Sequence, residues 1–186
     1  MKVIGLTGTI AAGKELVREE LQKRFNCYYV SLSSIIRGEL EKKKKSFNRA
    51  TLQDLGNHMR KSYGHHILAK LADSYMPRDK EMMIVDGIRN PGEIDFLKKT
   101  FGGDFKLIAV DADTQIRFQR VLSRARSTDP KTYEDFLKID QRDQGSGEKP
   151  FGQNSKACME KADFTLMNDG NIQDFVLKMN EMLQKI

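Results

Sequence analysis

The sequence predicts an α/β protein in which helices flank a mainly parallel sheet. Two observations support this prediction. Short apolar runs are near-continuous, as in strands buried on both faces, and segments with helical spacing of apolar residues separate them. Strands that alternate with helices form βαβ units, which favour a parallel sheet. The five apolar runs are Val3–Leu6, Tyr28–Val30, Met82–Val85, Leu107–Val110 and Phe164–Met167.

Helical patterns follow the first, third, fourth and fifth runs. The last segment predicts the clearest helix, because its apolar residues trace one stripe from Ile172 to Ile186. Asn171 precedes that stripe and is a suitable N-cap. The shorter patterns are Leu16, Val17 and Leu21 after the first run, Ile94 and Leu97 after the third, and Ile116, Val121 and Leu122 after the fourth.

Two longer stretches interrupt this alternation. About fifty residues of polar helix lie between Val30 and Met82, and a polar, glycine-containing stretch lies between Arg126 and Lys156. We interpret both as excursions from the carboxyl edge of the sheet, where such folds bind ligands. The run Lys42–Lys45 is interpreted as a solvated helix face. The chain, residues 1–186, is therefore predicted to be one domain.

Composition narrows the class of protein. Charged residues make up 31% and hydrophobic residues 39%, and no apolar run reaches membrane-spanning length. Cys27 and Cys158 are too few for a disulfide framework, so we expect a soluble, cytoplasmic protein without a membrane partner. The net charge of +6 favours an anionic partner. The absence of tryptophan disfavours a nucleic acid that is bound by base stacking.

The strongest motif is a glycine-rich loop that follows the first strand and precedes a helical pattern, the context that a phosphate loop requires. Gly8 and Gly13 permit backbone angles that other residues resist, so the loop's N–H groups can turn inward around an anion. The helix beginning near Lys14 adds its positive dipole end, and the Lys14 ammonium meets the β- and γ-phosphates of a nucleotide. The motif reads Gly8-Thr9-Ile10-Ala11-Ala12-Gly13-Lys14.

The residues after Lys14 depart from the usual phosphate loop. Ser or Thr usually follows the lysine, and its hydroxyl binds Mg²⁺, whereas this chain has Glu15 and then Leu16. A carboxylate there repels a triphosphate unless Mg²⁺ lies between them. Glu15 is therefore either a direct or water-mediated metal ligand or an ordinary acid in the first helical turn. In a third alternative, catalysis is weakened and only nucleotide binding survives.

An aspartate and an arginine follow the third strand. Asp86 ends that strand and faces the ligand crevice, where it could hold Mg²⁺ through water or accept the proton of an attacking hydroxyl. The alternative is a capping role before Gly87. Arg89 either clamps an acceptor phosphate bidentately or pairs with Glu93 at four-residue spacing.

Four arginines and no lysine occur between residues 117 and 126. Arginine suits planar phosphate recognition better than lysine, so we favour a phosphate-binding role for at least one of them over a purely solvated helix face. They are Arg117, Arg120, Arg124 and Arg126.

Together these residues resemble the P-loop nucleoside and nucleotide kinases. The opening IGLTGTIAAGK resembles that of dephospho-CoA kinases and adenylate kinases, while VDGIRNPGEIDFLKK and KADFTLMNDGNIQDF resemble dephospho-CoA-kinase-like and archaeal nucleotide-kinase-like proteins. SLSSIIR resembles the segment of nucleoside monophosphate kinases in which an arginine, here Arg37, meets the acceptor phosphate. The resemblance covers nearly the whole chain and implies a three-layer P-loop NTPase fold with a five-stranded parallel sheet.

The resemblance also implies where the ligands bind. Residues near 31–75 would form the acceptor-binding region, and residues near 124–150 the lid, with Arg124 and Arg126 closing over the phosphates. The loop after the last strand would lie near the adenine of ATP. That loop comprises Asn168, Asp169 and Gly170.

The predicted function is ATP-dependent phosphoryl transfer to a small phosphorylated acceptor, either a nucleoside monophosphate or a dephospho-CoA-like molecule. ATP and Mg²⁺ are the predicted cofactors, with Asp86 and Glu15 as candidate metal ligands. Arg37 and Arg89 would bind the acceptor. The alternative is a nucleotide-binding sensor or an NTPase without kinase turnover, with an RNA or protein partner. The predicted catalytic residues are Lys14, Asp86, Arg124 and Arg126.

Overall fold

The computed structural model describes residues 1–42, 48–77, 79–126 and 129–186, and within them five strands form one sheet. Every pair of neighbouring strands is parallel, in the order β2-β3-β1-β4-β5. The parallel five-stranded sheet is therefore confirmed, and each predicted apolar run lies in a strand. The strands are β1 (Lys2–Gly8), β2 (Cys27–Ser31), β3 (Met82–Asp86), β4 (Phe105–Asp111) and β5 (Phe164–Met167).

Helices connect the strands, and the predicted cap of the last helix is present. The Asn171 side chain accepts a hydrogen bond from the backbone N–H of Asp174 at 2.9 Å. The helices within the described residues are α1 (Lys14–Arg24), α2 (Leu32–Lys42), α3 (Arg49–Tyr63), α4 (Ile67–Ser74), α5 (Pro91–Phe101), α6 (Thr114–Arg124), α7 (Tyr133–Asp143), α8 (Ser155–Glu160) and α9 (Ile172–Leu183).

Both faces of the sheet are covered by apolar side chains. Val3 belongs to one core cluster together with side chains of α2, α4 and α5, and Ile4 belongs to a second cluster together with side chains of α1 and α9. Successive residues of a strand point to opposite faces, so each central strand must be apolar at nearly every position. That requirement explains the near-continuous apolar runs in the sequence.

The predicted apolar pattern of α6 is wrong in one position. Leu122 is 42% exposed, and Arg117 occupies the buried face of the helix instead. The Arg117 guanidinium is satisfied there, because it donates to both carboxylate oxygens of Asp140 on α7, at 2.6 and 2.9 Å. A paired, hydrogen-bonded guanidinium can therefore lie on the buried face of a helix, where apolar side chains are usual.

The two excursions contain regular structure. The first includes α2, α3 and α4, and the second includes α7, which Arg117 joins to α6. Lys42 ends α2 and pairs with Glu39 at 2.8 Å, whereas residues 43–45 of the predicted solvated lysine run lie outside the described residues. Among the described helices, none combines the length and the apolar character that a membrane crossing requires.

Candidate active site

Both glycines of the predicted phosphate loop adopt backbone angles that favour glycine. The loop joins β1 to α1, and Gly8 and Gly13 both have positive φ, 131° and 109°. A side chain at Gly8 would collide with the backbone carbonyl of Val110, and one at Gly13 with the Asn168 side chain. The two glycines are therefore required both by backbone angle and by close approach.

The Lys14 side chain folds back and hydrogen-bonds to carbonyl groups of the loop. Its Nζ donates to the carbonyl oxygens of Gly8 at 3.0 Å and Thr9 at 2.7 Å. Burial lowers the pKa of Lys14 to about 8, against the opposing influence of the nearby Asp86 and Asp143 carboxylates, while Arg89 and Arg49 lower it further. An arriving phosphate would favour the charged form of this lysine.

Asn168 and Arg120 support the loop on its other side. The buried Asn168 side chain donates to the Ala12 carbonyl at 2.7 Å, and Arg120 donates to the same oxygen at 3.3 Å. Arg120 also donates to the Asn168 carbonyl at 2.7 Å. These contacts hold the phosphate loop against α6 and the segment that follows β5.

A cavity of about 520 Å³ opens in front of the loop. Its described lining contains nine basic side chains and only four acidic ones, so much of the chain's net charge of +6 is concentrated there. It brings together these predicted site residues: Ala11, Ala12, Gly13, Lys14, Glu15, Arg37, Asp86, Arg89, Arg124 and Arg126.

Six of the predicted residues do not line this cavity, and two of them belong to the loop itself. The Thr9 hydroxyl donates to Asp111 at 2.6 Å, and Leu16 packs against the second core cluster. Asp169 accepts a hydrogen bond from the backbone N–H of Asp113 at 2.6 Å. The adenine contact of the 168–170 loop therefore stays a prediction. The predicted residues outside the described lining are Gly8, Thr9, Leu16, Asn168, Asp169 and Gly170.

Asp86 lines the cavity, and one of its carboxylate oxygens has no partner among the described residues. Its Oδ2 accepts a hydrogen bond from the Tyr29 hydroxyl at 3.1 Å, whereas Oδ1 is buried and has no hydrogen-bond partner among the described residues. A buried, unsatisfied carboxylate oxygen is costly and suits a hydroxyl donor or a water bound to Mg²⁺.

Glu15 lies at the rim of the cavity. Its side chain is largely exposed, pairs with Arg18 at 3.1 Å and lies 4.0 Å from the Arg126 guanidinium. Within the described ranges, no group of three or more acidic, His or Cys side chains could by itself hold a metal ion. The residues therefore fit a Mg²⁺ that Asp86 contacts through water better than one held in a protein cage.

The Arg89 side chain pairs with Asp143, and only the Arg89 backbone N–H bonds to Glu93. Its Nε donates to Asp143 Oδ1 at 2.8 Å, and this carboxylate raises the pKa of Arg89. Glu93 is fully buried, so a surface pair between Arg89 and Glu93 is wrong. The other oxygen of Asp143 is buried and has no partner in the described part of the chain.

The four arginines of the 117–126 segment separate into different roles. Arg117 is structural, Arg120 supports the loop, and Arg124 makes a bidentate pair with Asp129 at 2.7 and 2.8 Å. Arg120, Arg124 and Arg126 line the cavity. The prediction that at least one of these arginines binds phosphate therefore has three remaining candidates.

The lining also contains residues that sequence reasoning missed, among them Tyr29, Arg49, Arg60 and Asp143. Tyr29 lies in β2, where its hydroxyl reaches Asp86 and its ring centre lies 5.1 Å from the Arg18 guanidinium carbon. Arg49 has no hydrogen-bond or ion-pair partner among the described residues, and burial lowers its pKa. No local spacing could have found these residues, because distant segments bring them together.

The fold and the phosphate loop define the class, a P-loop kinase fold. Solved structures with this architecture include shikimate kinase from Bacteroides thetaiotaomicron, with 17% identity, a TM-score of 0.55 and 98% of both chains covered. Shikimate kinase from Acinetobacter baumannii in complex with shikimate has 15% identity and a TM-score of 0.56, over 100% of this chain and 94% of that one. TT1252 from Thermus thermophilus reaches a TM-score of 0.62 with 17% identity, over 100% and 97%. Identities this low show a shared fold alone.

Sequence relatives identify the family. The UPF0200 protein of Sulfurisphaera tokodaii is 31% identical over 186 residues, which cover 100% of this chain and 98% of that protein. The chain therefore belongs to the UPF0200 family. A UPF0200/UPF0201 protein of Archaeoglobus fulgidus is also 31% identical over 192 residues, but the chain spans only 56% of its length. No family model matches the chain. The predicted closeness to dephospho-CoA kinases stays a prediction.

Proposed function

We propose that this protein is an ATP-dependent kinase that phosphorylates a small phosphorylated acceptor. The observation that carries the proposal is the shared cavity, which is lined by the phosphate loop, by Asp86 with its unpartnered oxygen, and by a set of arginines. Phosphoryl transfer needs positioning and charge neutralisation more than covalent chemistry from the protein. This cavity offers both.

On the donor side, the loop from Gly8 to Leu16 would bind the triphosphate through its backbone N–H groups and the α1 dipole. The Lys14 ammonium now bonds to two carbonyl oxygens. It would exchange these for β- and γ-phosphate oxygens. Arg124 and Arg126 would neutralise charge that develops on the transferring group, which requires Arg124 to leave Asp129.

A bound Mg²⁺ would neutralise charge on the β- and γ-phosphates. Asp86 would position it through a metal-bound water, with Tyr29 fixing the carboxylate through Oδ2 and leaving Oδ1 for that water. Alternatively, Oδ1 accepts the proton of the attacking acceptor oxygen. In either role, the hydrogen bond from Tyr29 orients Asp86.

On the acceptor side, Arg89 and Arg37 would bind the acceptor phosphate. Asp143 already orients Arg89 through the 2.8 Å contact, which reduces the entropy lost when a phosphate binds. Arg49 adds a guanidinium without a close partner in the described residues, near Arg89 and Asp143. This supports an acceptor with its own phosphate, either a nucleoside monophosphate or a dephospho-CoA-like molecule.

A second candidate function is a nucleotide-binding sensor or an NTPase without an acceptor. It is favoured by Glu15 in place of a hydroxyl residue and by the engagement of the Thr9 hydroxyl with Asp111 at 2.6 Å. In that case the same loop binds ATP, but the arginines serve conformational change rather than transfer.

A coupled assay of ADP release separates these functions. The unmodified protein is mixed with Mg–ATP and, in turn, each nucleoside monophosphate and dephospho-CoA. The kinase proposal predicts that one acceptor stimulates ADP release and that Lys14→Ala abolishes the stimulation. ADP release that no acceptor stimulates, despite measurable ATP binding, contradicts it. Phosphate release without any acceptor identifies an NTPase.

A further inference from the structure

An arginine of α3 lies fully within the protein beside the proposed acceptor site. Arg60 is only 1% exposed, yet it lines the cavity. Its Nε and Nη2 both meet Glu93 Oε1, at 2.9 and 2.8 Å. Glu93 is itself fully buried, and its other oxygen accepts from the backbone N–H groups of Arg89 and Asn90 at 2.9 and 3.1 Å.

Glu93 therefore fixes Arg60 relative to the phosphate-binding side of the site. One carboxylate joins the α3 arginine to the segment that carries Arg89, four residues away along the chain. Both partners are excluded from water, so their geometry has little freedom. A guanidinium held in this way is pre-organised for recognition of a further ligand atom.

The third guanidinium nitrogen of Arg60 is left without a partner. Nη1 is buried and has no hydrogen-bond partner among the described residues. An unmade hydrogen bond from a buried charged group costs more than a neutral one. Arg60 lines the cavity, so an acceptor atom that reaches Nη1 would satisfy it.

The surroundings of Arg60 are those of a recognition pocket. Gln53 and Gln153 line the same cavity, are nearly buried, and join through one hydrogen bond of 3.1 Å between their amides. Apolar side chains complete this side of the cavity. Apolar side chains beside a few fixed polar groups are typical of small-molecule sites. The apolar lining residues are Leu32, Ile36, Leu52 and Leu68.

We infer that Arg60 is a specificity-determining residue that binds an oxygen of the acceptor outside its phosphate group. This inference rests on the proposed function, because it names a feature of that acceptor. A guanidinium donates hydrogen bonds and accepts none, so the ligand atom must be an acceptor such as a carbonyl or carboxylate oxygen. An ammonium group at this position is excluded, because it donates hydrogen bonds and cannot accept one.

Two sources of that oxygen are compatible with the site, the carbonyl of a nucleobase and the carboxylate of a phosphorylated hydroxy acid. Matched ligand pairs distinguish them. Guanosine monophosphate and 2-aminopurine riboside monophosphate differ in the 6-oxo group, and 3-phosphoglycerate and glycerol 3-phosphate differ in the carboxylate. Binding of all four to the full chain is measured by calorimetry in the absence of ATP.

The inference predicts that the oxygen-bearing member of one pair binds about 10- to 100-fold more tightly, the effect of a hydrogen bond to a charged group. Arg60→Lys removes that preference, because one ammonium cannot hold both Glu93 and the ligand. Arg24→Lys is the matched control, since Arg24 also pairs with a glutamate, Glu20, but lies outside the cavity lining. It should leave both preferences unchanged.

Three results overturn the inference: no preference within either pair, a preference that survives Arg60→Lys, or no binding by any of the four ligands while ATP binds. If Arg60→Lys does not fold, the ligand pairs on the unmodified chain still decide. The readout is distinct from the test of the proposed function, because it needs no phosphoryl transfer. A protein that binds the acceptor but releases no ADP would contradict the kinase proposal and leave the Arg60 inference standing.

Discussion

Glu93→Gln tests the buried connection between α3 and the segment after β3. Glu93 uses both carboxylate oxygens as acceptors, one for Arg60 and one for the backbone N–H groups of Arg89 and Asn90. Glutamine has a single oxygen. Its NH₂ group must therefore face either the guanidinium or the two backbone donors, and the charge of Arg60 loses its counter-ion.

The expected loss follows from the burial of both partners. Arg60 and Glu93 have side-chain exposures of 1% and 0%, and breaking such a pair by removing one charge costs about 3–5 kcal/mol. For a chain of 186 residues, each kcal/mol lowers the midpoint of thermal unfolding by about 2–4 °C. Glu93→Gln should therefore lower the midpoint by roughly 6–20 °C.

Thermal and urea unfolding, followed by circular dichroism, measure this effect. Glu134→Gln is the control, because Glu134 is 80% exposed and pairs only with Lys138 in the described structure; it should stay within about 0.5 kcal/mol of the unmodified protein. Adding Arg60→Met to Glu93→Gln should recover stability, because it removes the uncompensated charge. A loss below about 1 kcal/mol for Glu93→Gln, or a double variant less stable than Glu93→Gln alone, would refute the reasoning.

Three further predictions concern the phosphate loop and the lid. Lys14 is protonated below its pKa of about 8, so the affinity for ATP should be constant below that pH and fall about tenfold per pH unit above it, as calorimetry on both sides can measure. Lys14→Arg should remove this fall. An equal fall in the variant would contradict the role of Lys14 in binding the phosphates. Asn168→Ala removes the 2.7 Å hydrogen bond to Ala12, so ATP affinity should fall about threefold to tenfold, while equal affinity would show that Asn168 does not support the loop. Asp129→Asn frees Arg124 from its bidentate pair. The freed guanidinium is available to the phosphates, so ATP should bind about threefold to tenfold more tightly. Weaker binding would show that Asp129 positions Arg124 instead.

The sheet and the phosphate loop could be predicted because their signals are local. Val3 and Ile4 face opposite core clusters, so double-sided burial appears directly as an uninterrupted apolar run. Gly8 and Gly13 are needed at fixed positions for backbone reasons, and Lys14 follows them. Residues that are close in sequence determine each of these features.

The acceptor side could be predicted only in part, because its geometry depends on distant pairs. Arg89 was identified from its place after β3, but its partner Asp143 lies 54 residues away. Arg60 and Glu93 are 33 residues apart, and no spacing rule joins them. Arg117 shows the same limit, since its interaction with Asp140 decides that it is structural.

Transfer of the γ-phosphoryl group is the central claim, and γ-labelled ATP tests it most directly. The protein is incubated with labelled Mg–ATP and each acceptor of the panel, and the products are separated to locate the label. The account predicts that the label appears in one phosphorylated acceptor and is absent when Lys14→Ala replaces the unmodified protein. Label found only in inorganic phosphate, or retained in ATP although ATP binds, would contradict it.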